Sequence, residues 1–298
     1  MNTSGASITL NNGVELPVLG LGVFQSPPAE TIDAVEAAIA NGYRLVDTAA
    51  AYGNEREVGE AIRRSGIDRD EMFVTTKLWI SDYGYEEALV GVDGCLRRLG
   101  FDYVDLFLLH HPVPTDFDGT IAAYTAAEQM LADGRVRAIG VSNFSERHLG
   151  NLMSRTSAVP AVNQVELHPF FTQQGLRDFH AANGIATQAW SPLGGINRYR
   201  PADAGNVKDP LEEPAIVELA AKYGKTPAQV VLRWHIERGV AAIPKSVKPH
   251  RIAENFDVFD FTLTPDEVAA IDALDTGARG GPDPELINTE LYPLKVEN

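Results

Sequence analysis

The strongest constraint on the fold is a repeat of element type rather than of residues. Short apolar, β-prone runs alternate with amphipathic helical stretches eight times along the 298 residues. The strand candidates are residues 18–22, 44–47, 73–77, 104–110, 137–142, 162–166, 185–190 and 240–243. Helical periodicity fills the gaps at 30–40, 55–64, 86–99, 120–132, 146–155 and 173–182, then twice between the last two strands, at 213–222 and 227–237. One of that pair is surplus to a strict alternation. A second extra helix opens after the eighth strand at Thr264-Pro265, an N-cap followed by a proline suited to the first turn. Eight βα units of about 37 residues match a (β/α)8 TIM barrel in number and size. No linker or change of composition divides the chain, so residues 1–298 read as one barrel domain. Ahead of it, residues 8–10 and 14–16 flank Asn11-Asn12-Gly13, a β-hairpin signal. The Gly- and Asp-rich stretch 194–210 reads as one loop over a barrel face.

An open doubly wound sheet is the rival architecture, and its nucleotide-binding signatures are broken. Gly20 and Gly22 have the spacing of a dinucleotide fingerprint, but Gln25 stands where the third glycine belongs. Gly224-Lys225-Thr226 resembles the end of a phosphate loop, yet Leu219 occupies its first glycine position, so Thr226-Pro227 is read as a helix cap.

A net charge of −16 argues against nucleic-acid and anionic-membrane partners, which require stripes of Lys and Arg. No apolar run approaches the about 20 residues of a spanning helix, and the N-terminus lacks a signal-peptide pattern, so a cytoplasmic protein, expected to be a monomer, is the default. Cys95 is the only cysteine and follows the apolar helical stripe Leu89, Val92, Leu96, Leu99. His168, His180 and His235 have no partners at useful spacing and read as structural or surface groups. His110-His111 does not read as a metal site, because neighbouring strand residues point to opposite faces.

Catalytic groups of such barrels stand at the C-terminal ends of strands. Strand two ends in Asp47, strand three in Lys77, strand four in His110 and strand five in Ser142-Asn143; strand six contains Gln164 and strand seven ends in Trp190-Ser191. Asp47 to Lys77 is 30 residues, Lys77 to His110 is 33 and His110 to Ser142 is 32, one βα unit each, so these groups converge on one mouth. Tyr52, five residues past Asp47, returns over the same opening. A phenol is a weak acid near neutrality. An ammonium about 4 Å away is worth about 4 kcal/mol at an effective dielectric of about 20, which lowers its pKa by roughly three units. Asp47 should keep Lys77 charged while giving back part of that shift, and His110 should orient a substrate oxygen. The set makes a proton donor for an oxygen becoming alkoxide; it holds no activated nucleophile and no metal-ligand pattern.

Several segments carry a resemblance across essentially the whole chain. They are Gly42-Tyr43-Arg44-Leu45-Val46-Asp47-Thr48-Ala49 with Tyr52-Gly53-Asn54-Glu55, Thr76-Lys77-Leu78-Trp79, Leu108-Leu109-His110, Gly140-Val141-Ser142-Asn143-Phe144, Asn163-Gln164-Val165-Glu166, Ile243-Pro244-Lys245-Ser246 and Arg251-Ile252-Ala253-Glu254-Asn255. Together they resemble the aldo-keto reductases, most nearly bacterial members of the 2,5-diketo-D-gluconate reductase type. The resemblance implies a TIM barrel that uses NADPH to reduce aldehydes, ketones or keto-sugars. Asp47, Tyr52, Lys77 and His110 match its catalytic tetrad, with Tyr52 the general acid. It implies cofactor contacts from Gly22, Val23 and Phe24 on the first strand, from Ser142, Asn143 and Gln164 around the carboxamide, and from Trp190 stacked on the nicotinamide. Asp47 also falls among them. Ser191, Leu193 and Gly194 match contacts to the pyrophosphate. Lys245, Ser246, Val247 and Arg251 match the adenosine 2′-phosphate site, with Glu254 and Asn255 towards the adenine. Phe24, Tyr52, Trp79, His110 and His111 match the substrate pocket. His111 departs from the family pattern, since bacterial relatives commonly carry Trp there. Local charge independently favours NADPH over NADH: Lys245, Lys248, His250 and Arg251 cluster at a helix start inside an acidic protein. The competing readings are a Schiff-base lyase with Lys77 as nucleophile, opposed by the neighbouring Asp47, and a cofactor-sensing subunit without turnover, opposed by the intact tetrad.

Overall fold

The structure, a computed structural model, describes residues 6–195 and 209–298. Strands β1 (Ser7–Thr9) and β2 (Glu15–Pro17) form the expected antiparallel hairpin, with Ile8 opposite Leu16. Eight parallel strands follow: β3 (Leu21–Gly22), β4 (Leu45–Asp47), β5 (Phe73–Leu78), β6 (Val104–Leu109), β7 (Val136–Ser142), β8 (Val162–Glu166), β9 (Ala186–Trp190) and β10 (Ala241–Ala242). They pair in strict sequence order from β3 to β10. The ring closes where Gly20 N donates to Ala242 O (2.9 Å), Ala242 N to Val18 O (2.8 Å) and Gly22 N to Pro244 O (3.1 Å). At this seam the two strands run shorter than their apolar stretches, because contact continues as isolated bridges at Leu19–Ala242 and Gly22–Lys245. The fold is the expected TIM barrel.

Helices α1 (Pro28–Ala40), α2 (Glu55–Ser65), α3 (Tyr85–Leu99), α4 (Phe117–Ala132), α5 (Glu146–Met153) and α6 (Gln174–Ala182) cover the sheet, one after each strand. Then come α7 (Pro214–Tyr223) and α8 (Pro227–Glu237) before β10, and α9 (Pro249–Phe256) and α10 (Pro265–Asp272) after it. Two starts are read well from the sequence: Thr226 and Thr264 each form a capping box, with Gln229 and Glu267. Helix α4 starts three residues ahead of its apolar pattern because Asp116 caps it, accepting from Gly119 N (3.1 Å). The expected loop 194–210 falls mostly outside the described residues. Among the described residues no helix is long and apolar enough to cross a membrane.

The period-two alternation of strands divides the apolar residues between two cores. Outward side chains such as Phe107, Leu109 and Val141 pack under the helices. Inward ones, Leu45, Phe73, Leu106, Leu108, Ala138, Val162 and Ala241, fill the lower barrel, and Leu10 and Leu16 of the hairpin close it from below. On the outward face of β6, Asp105, fully buried, accepts from Val74 N (2.9 Å) and pairs with Arg69 (2.8 Å) and Arg137 (2.7 Å). Higher on the inward faces stand Asp47 of β4, Lys77 of β5, Ser142 of β7 and Gln164 of β8, with His110 just past the end of β6. Alternation therefore places polar groups in the layer above the apolar plug. Cys95 lies buried on its helical stripe.

His168, His180 and His235 are all buried, so the surface half of the expectation falls away. Each found a partner distant in the fold or on the same turn: Glu166 for His168 (3.0 Å), Asn163 and Thr187 for His180 (2.9 Å each), and Pro192 O for His235 (3.0 Å). Burial holds His180 down to about pKa 4 and His235 to about 3.

Helices α2 and α3 cross at Gly59, where a Cβ would stand 1.8 Å from the Leu99 carbonyl oxygen. That neighbour is backbone and cannot rotate away. Gly59→Ala should destabilise the fold by about 3 kcal/mol, read as a fall in the urea midpoint at constant m; an unchanged midpoint would contradict the packing described.

Candidate active site

Lys77 is the last inward residue of β5 and is completely buried. Its ammonium donates to Asp47 Oδ1 (2.5 Å), to Thr48 O (2.9 Å) and to the phenol oxygen of Tyr52 (3.4 Å). Tyr52 reaches it from the short 3-10 turn Ala50–Tyr52 that follows β4. Asp47 is held on its other oxygen by Gln164 Nε2 (2.7 Å), which also donates to Gln188 Oε1 (2.8 Å). A polar chain thus crosses the barrel from β5 through β4 to β8 and β9. The Tyr52 ring stands edge-on to His110 with centroids 5.6 Å apart, and Trp79 meets His110 at 5.1 Å.

The electrostatics differ from the sequence expectation at Tyr52. Lys77 was expected to lower the phenol's pKa. Burial instead raises Tyr52 well above its ordinary value, and the Asp47 carboxylate adds to the rise. Asp47, bonded to the ammonium, cancels the field the phenol would otherwise feel. Burial also draws the pKa of Lys77 down, opposed by Asp47, as expected, and then by Glu55. Burial likewise raises Asp47, against the pull of Lys77 and Gln164. His110 is driven well below its ordinary value by burial, then by His111 and Lys77, so the imidazole is neutral. Its Nδ1 is buried without a hydrogen-bond partner.

His110 and His111 also depart from expectation. Their rings are stacked, 5.0 Å apart and within 2° of parallel. Strand β6 ends at Leu109, so strand alternation no longer governs the pair. Among the described residues no group of three His, Cys, Asp or Glu stands where it could hold a metal ion. His111, lowered by burial to about pKa 3, accepts from Asn143 Nδ2 (3.2 Å). Asn143 sits at φ +65°, a left-handed conformation that Asn tolerates. Trp190 Nε1 donates to its Oδ1 (2.9 Å), which fixes the orientation of the amide. Ser142 Oγ donates to Gln164 O (2.7 Å).

One cleft of about 1230 Å³ joins these groups. Gly22, Phe24, Asp47, Tyr52, Trp79, His110 and His111 line one end; Ser142, Asn143, Gln164, Trp190, Ser191 and Leu193 line the middle. Lys245, Ser246, Arg251, Glu254 and Asn255 line the far end. Val23 and Val247 turn instead into the core, and Gly194 closes a tight turn by donating to Ser191 O (2.9 Å). Sequence reasoning missed Leu211, from the 3-10 turn Pro210–Glu212, Thr226 and Ala228, brought to the wall by the start of α8, and Leu291, Tyr292 and Leu294 from the C-terminal tail. The tail is held there by Trp79 Nε1, which donates to Leu294 O (2.9 Å). The helix cap at Thr226 was legible; its arrival at the cleft depends on tertiary packing.

The Asp47–Lys77 contact is a buried ion pair and predicts coupled stabilities. Lys77→Met should cost about 3–5 kcal/mol, because it strands a buried carboxylate. Adding Asp47→Asn should restore part of the loss. Strictly additive losses in urea unfolding would show the two side chains to be uncoupled.

The aldo/keto reductase family profile matches residues 18–276. The chain is 55% identical over 286 residues to morphine 6-dehydrogenase of Pseudomonas putida, covering 96% of each protein. It is 45% identical to methylglyoxal reductase DkgA of Escherichia coli K12, covering 93% of this chain and 96% of the other. Among solved structures, a variant of Gox0644 in complex with NADPH superposes with a TM-score of 0.86 at 41% identity, covering 95% of this chain and 98% of that one. This chain belongs to the aldo/keto reductase family.

Proposed function

We propose that the chain is an NADPH-dependent reductase of aldehydes, ketones or keto-sugars, with Tyr52 as the proton donor. The observation that carries this reading is the Lys77 ammonium wedged between Asp47 and the Tyr52 phenol, beside a neutral His110 at the floor of an open cleft. NADPH supplies the hydride when bound. The raised pKa of Tyr52 keeps the phenol protonated near neutrality, which is the form reduction needs. A carbonyl oxygen taking up hydride becomes far more basic than a phenolate, so even a weakened phenol is acid enough to protonate it. Lys77 and Asp47 hold the phenol in place, and His110 Nε2–H orients the carbonyl.

The shape and chemistry of the cleft fit the cofactor. Its far end holds Lys245, His250 and Arg251, and among the described residues no hydrogen bond or ion pair engages the Lys245 or Arg251 side chain. In a protein of net charge −16 these unpaired cations, at the N-terminus of α9 where no side chain caps the helix, suit a phosphate dianion. Ser246 would join Arg251 and Lys245 on the 2′-phosphate, with Glu254 and Asn255 towards the adenine. In the middle, both Gln164 Nε2 protons are committed, so its carbonyl oxygen is the group left for a carboxamide N–H. Ser142, Asn143 and Trp190 would complete that site.

The lyase reading loses its remaining support here. Burial does lower the pKa of Lys77, as a Schiff-base nucleophile requires, but the amine is wholly enclosed and faces three oxygen partners. Phe24, 46% exposed at the rim, and Leu291 and Leu294 offer apolar surface to a substrate body. Relatives named for morphine and for methylglyoxal define the panel to try first, and NADPH consumption against it tests the reading.

Three outcomes follow. Tyr52→Phe should abolish reduction while leaving NADPH affinity nearly unchanged, and wild-type kcat/KM should be flat from about pH 7 to 9, because the raised phenol stays protonated and the lowered His110 stays neutral there. Turnover of the variant within a few-fold of wild type would remove Tyr52 from the acid role. Arg251→Ala should weaken NADPH by roughly ten- to a hundredfold, the loss of a charge-assisted hydrogen bond, and leave NADH little changed. Equal weakening of both in binding titrations would displace the phosphate from this site.

A further inference from the structure

The tail beyond α10 crosses the barrel mouth on a buried anchor. Gly280 N and Gly281 N donate to the two carboxylate oxygens of Glu166 at 2.7 and 2.8 Å. Glu166 is completely buried and also pairs with His168 Nε2 (3.0 Å). It lies directly beside Trp190 in the β8–β9 register. At Gly281 the tail touches the indole so closely that a Cβ there would stand 2.5 Å from Trp190 Cη2 and 3.4 Å from Cζ2. The other end of the indole is tied by Nε1 to Asn143 Oδ1 at 2.9 Å. A flat, rigid ring held at both ends has its plane fixed.

We propose that Gly281 is a positioning residue for the cofactor: the tail backbone, locked to Glu166, sets the plane of Trp190 and through it the seat of the nicotinamide. This rests on the reading that Trp190 stacks on the nicotinamide. Gly281 does not adopt a left-handed φ, so an alanine there changes the space against the indole and not the backbone. The added methyl would press on both Trp190 and Glu166 Oε2, the latter at 2.9 Å. Glu166 is held by three contacts inside the protein, whereas Trp190 borders the cleft, so the indole is the group that yields.

The test compares two ligands on Gly281→Ala by equilibrium titration. NADPH carries the nicotinamide; adenosine 2′,5′-bisphosphate carries the phosphate end alone. The Kd for NADPH should rise about five- to twentyfold, and that for the bisphosphate should stay within about twofold. A general loss of structure would weaken both ligands, and that outcome, or an unchanged Kd for NADPH, overturns the proposal. The same substitution in a Trp190→Phe background meets a ring without the Cη2 edge. There its penalty on NADPH should fall below about twofold; an undiminished penalty overturns the route through Trp190. A wild-type chain that binds neither ligand overturns the reductase reading as well, and is told apart because it fails before any substitution is made.

Discussion

A charged pair taken wholly out of water sits on the barrel axis, and the upper half of the molecule is arranged around it. Burying Lys77 and Asp47 costs several kcal/mol for each ion unless every remaining donor and acceptor is met. The barrel meets them from four strands. Thr48 O and the Tyr52 phenol take the remaining ammonium protons, and Gln164, itself tied to Gln188, holds the second carboxylate oxygen. The phenol is thereby fixed within hydrogen-bond reach of an ammonium whose field its own counterion has largely neutralised. Burial, and behind it the Asp47 carboxylate, keeps that phenol protonated.

The strand carrying Lys77 is clamped from its other face as well. Thr76, the neighbouring residue and therefore outward-facing, donates to Glu55 Oε1 (2.5 Å), and Arg98 binds the other oxygen of that carboxylate (2.6 Å). Glu55 opens α2 and Arg98 closes α3, so the two helices flanking the strand are joined across it. Arg98 goes on to hold Glu297 O (2.8 Å) in the C-terminal tail. A shift of β5 would break the Lys77–Asp47 ion pair on one face and the Thr76–Glu55 hydrogen bond on the other. The position of the lysine is thus set by packing outside the barrel as much as by its partner within.

The sequence made the barrel legible because its two periodicities report burial directly: alternation in the strands and 3.6-residue spacing in the helices. The convergence of Asp47, Lys77, His110 and Ser142 was equally readable, since equal spacing on successive strands leaves a single geometric outcome. The direction of the Tyr52 shift was not. It depends on how deeply the phenol is buried and on how close it comes to the Asp47 carboxylate, and no spacing encodes either. The stacking of His110 on His111 was hidden because the strand stops one residue earlier than its apolar run suggests. Leu291 and Leu294 were beyond reach for another reason: a tail with no periodicity is placed by the surface it lands on, here Trp79 and Glu166, far away in sequence.

The hairpin β1–β2 closes the opposite end of the barrel with Leu10 and Leu16, and Asn12 Nδ2 ties its turn to Arg137 O (2.9 Å). A blind-ended barrel has one door, and the cleft with its polar groups opens there. The floor has only to keep water out. The molecule is thereby divided into a durable end and an inventive one, separated by a plug of leucines. Lineages descended from such a chain are free to rework the rim for new substrates while the floor that keeps them folded is inherited unchanged.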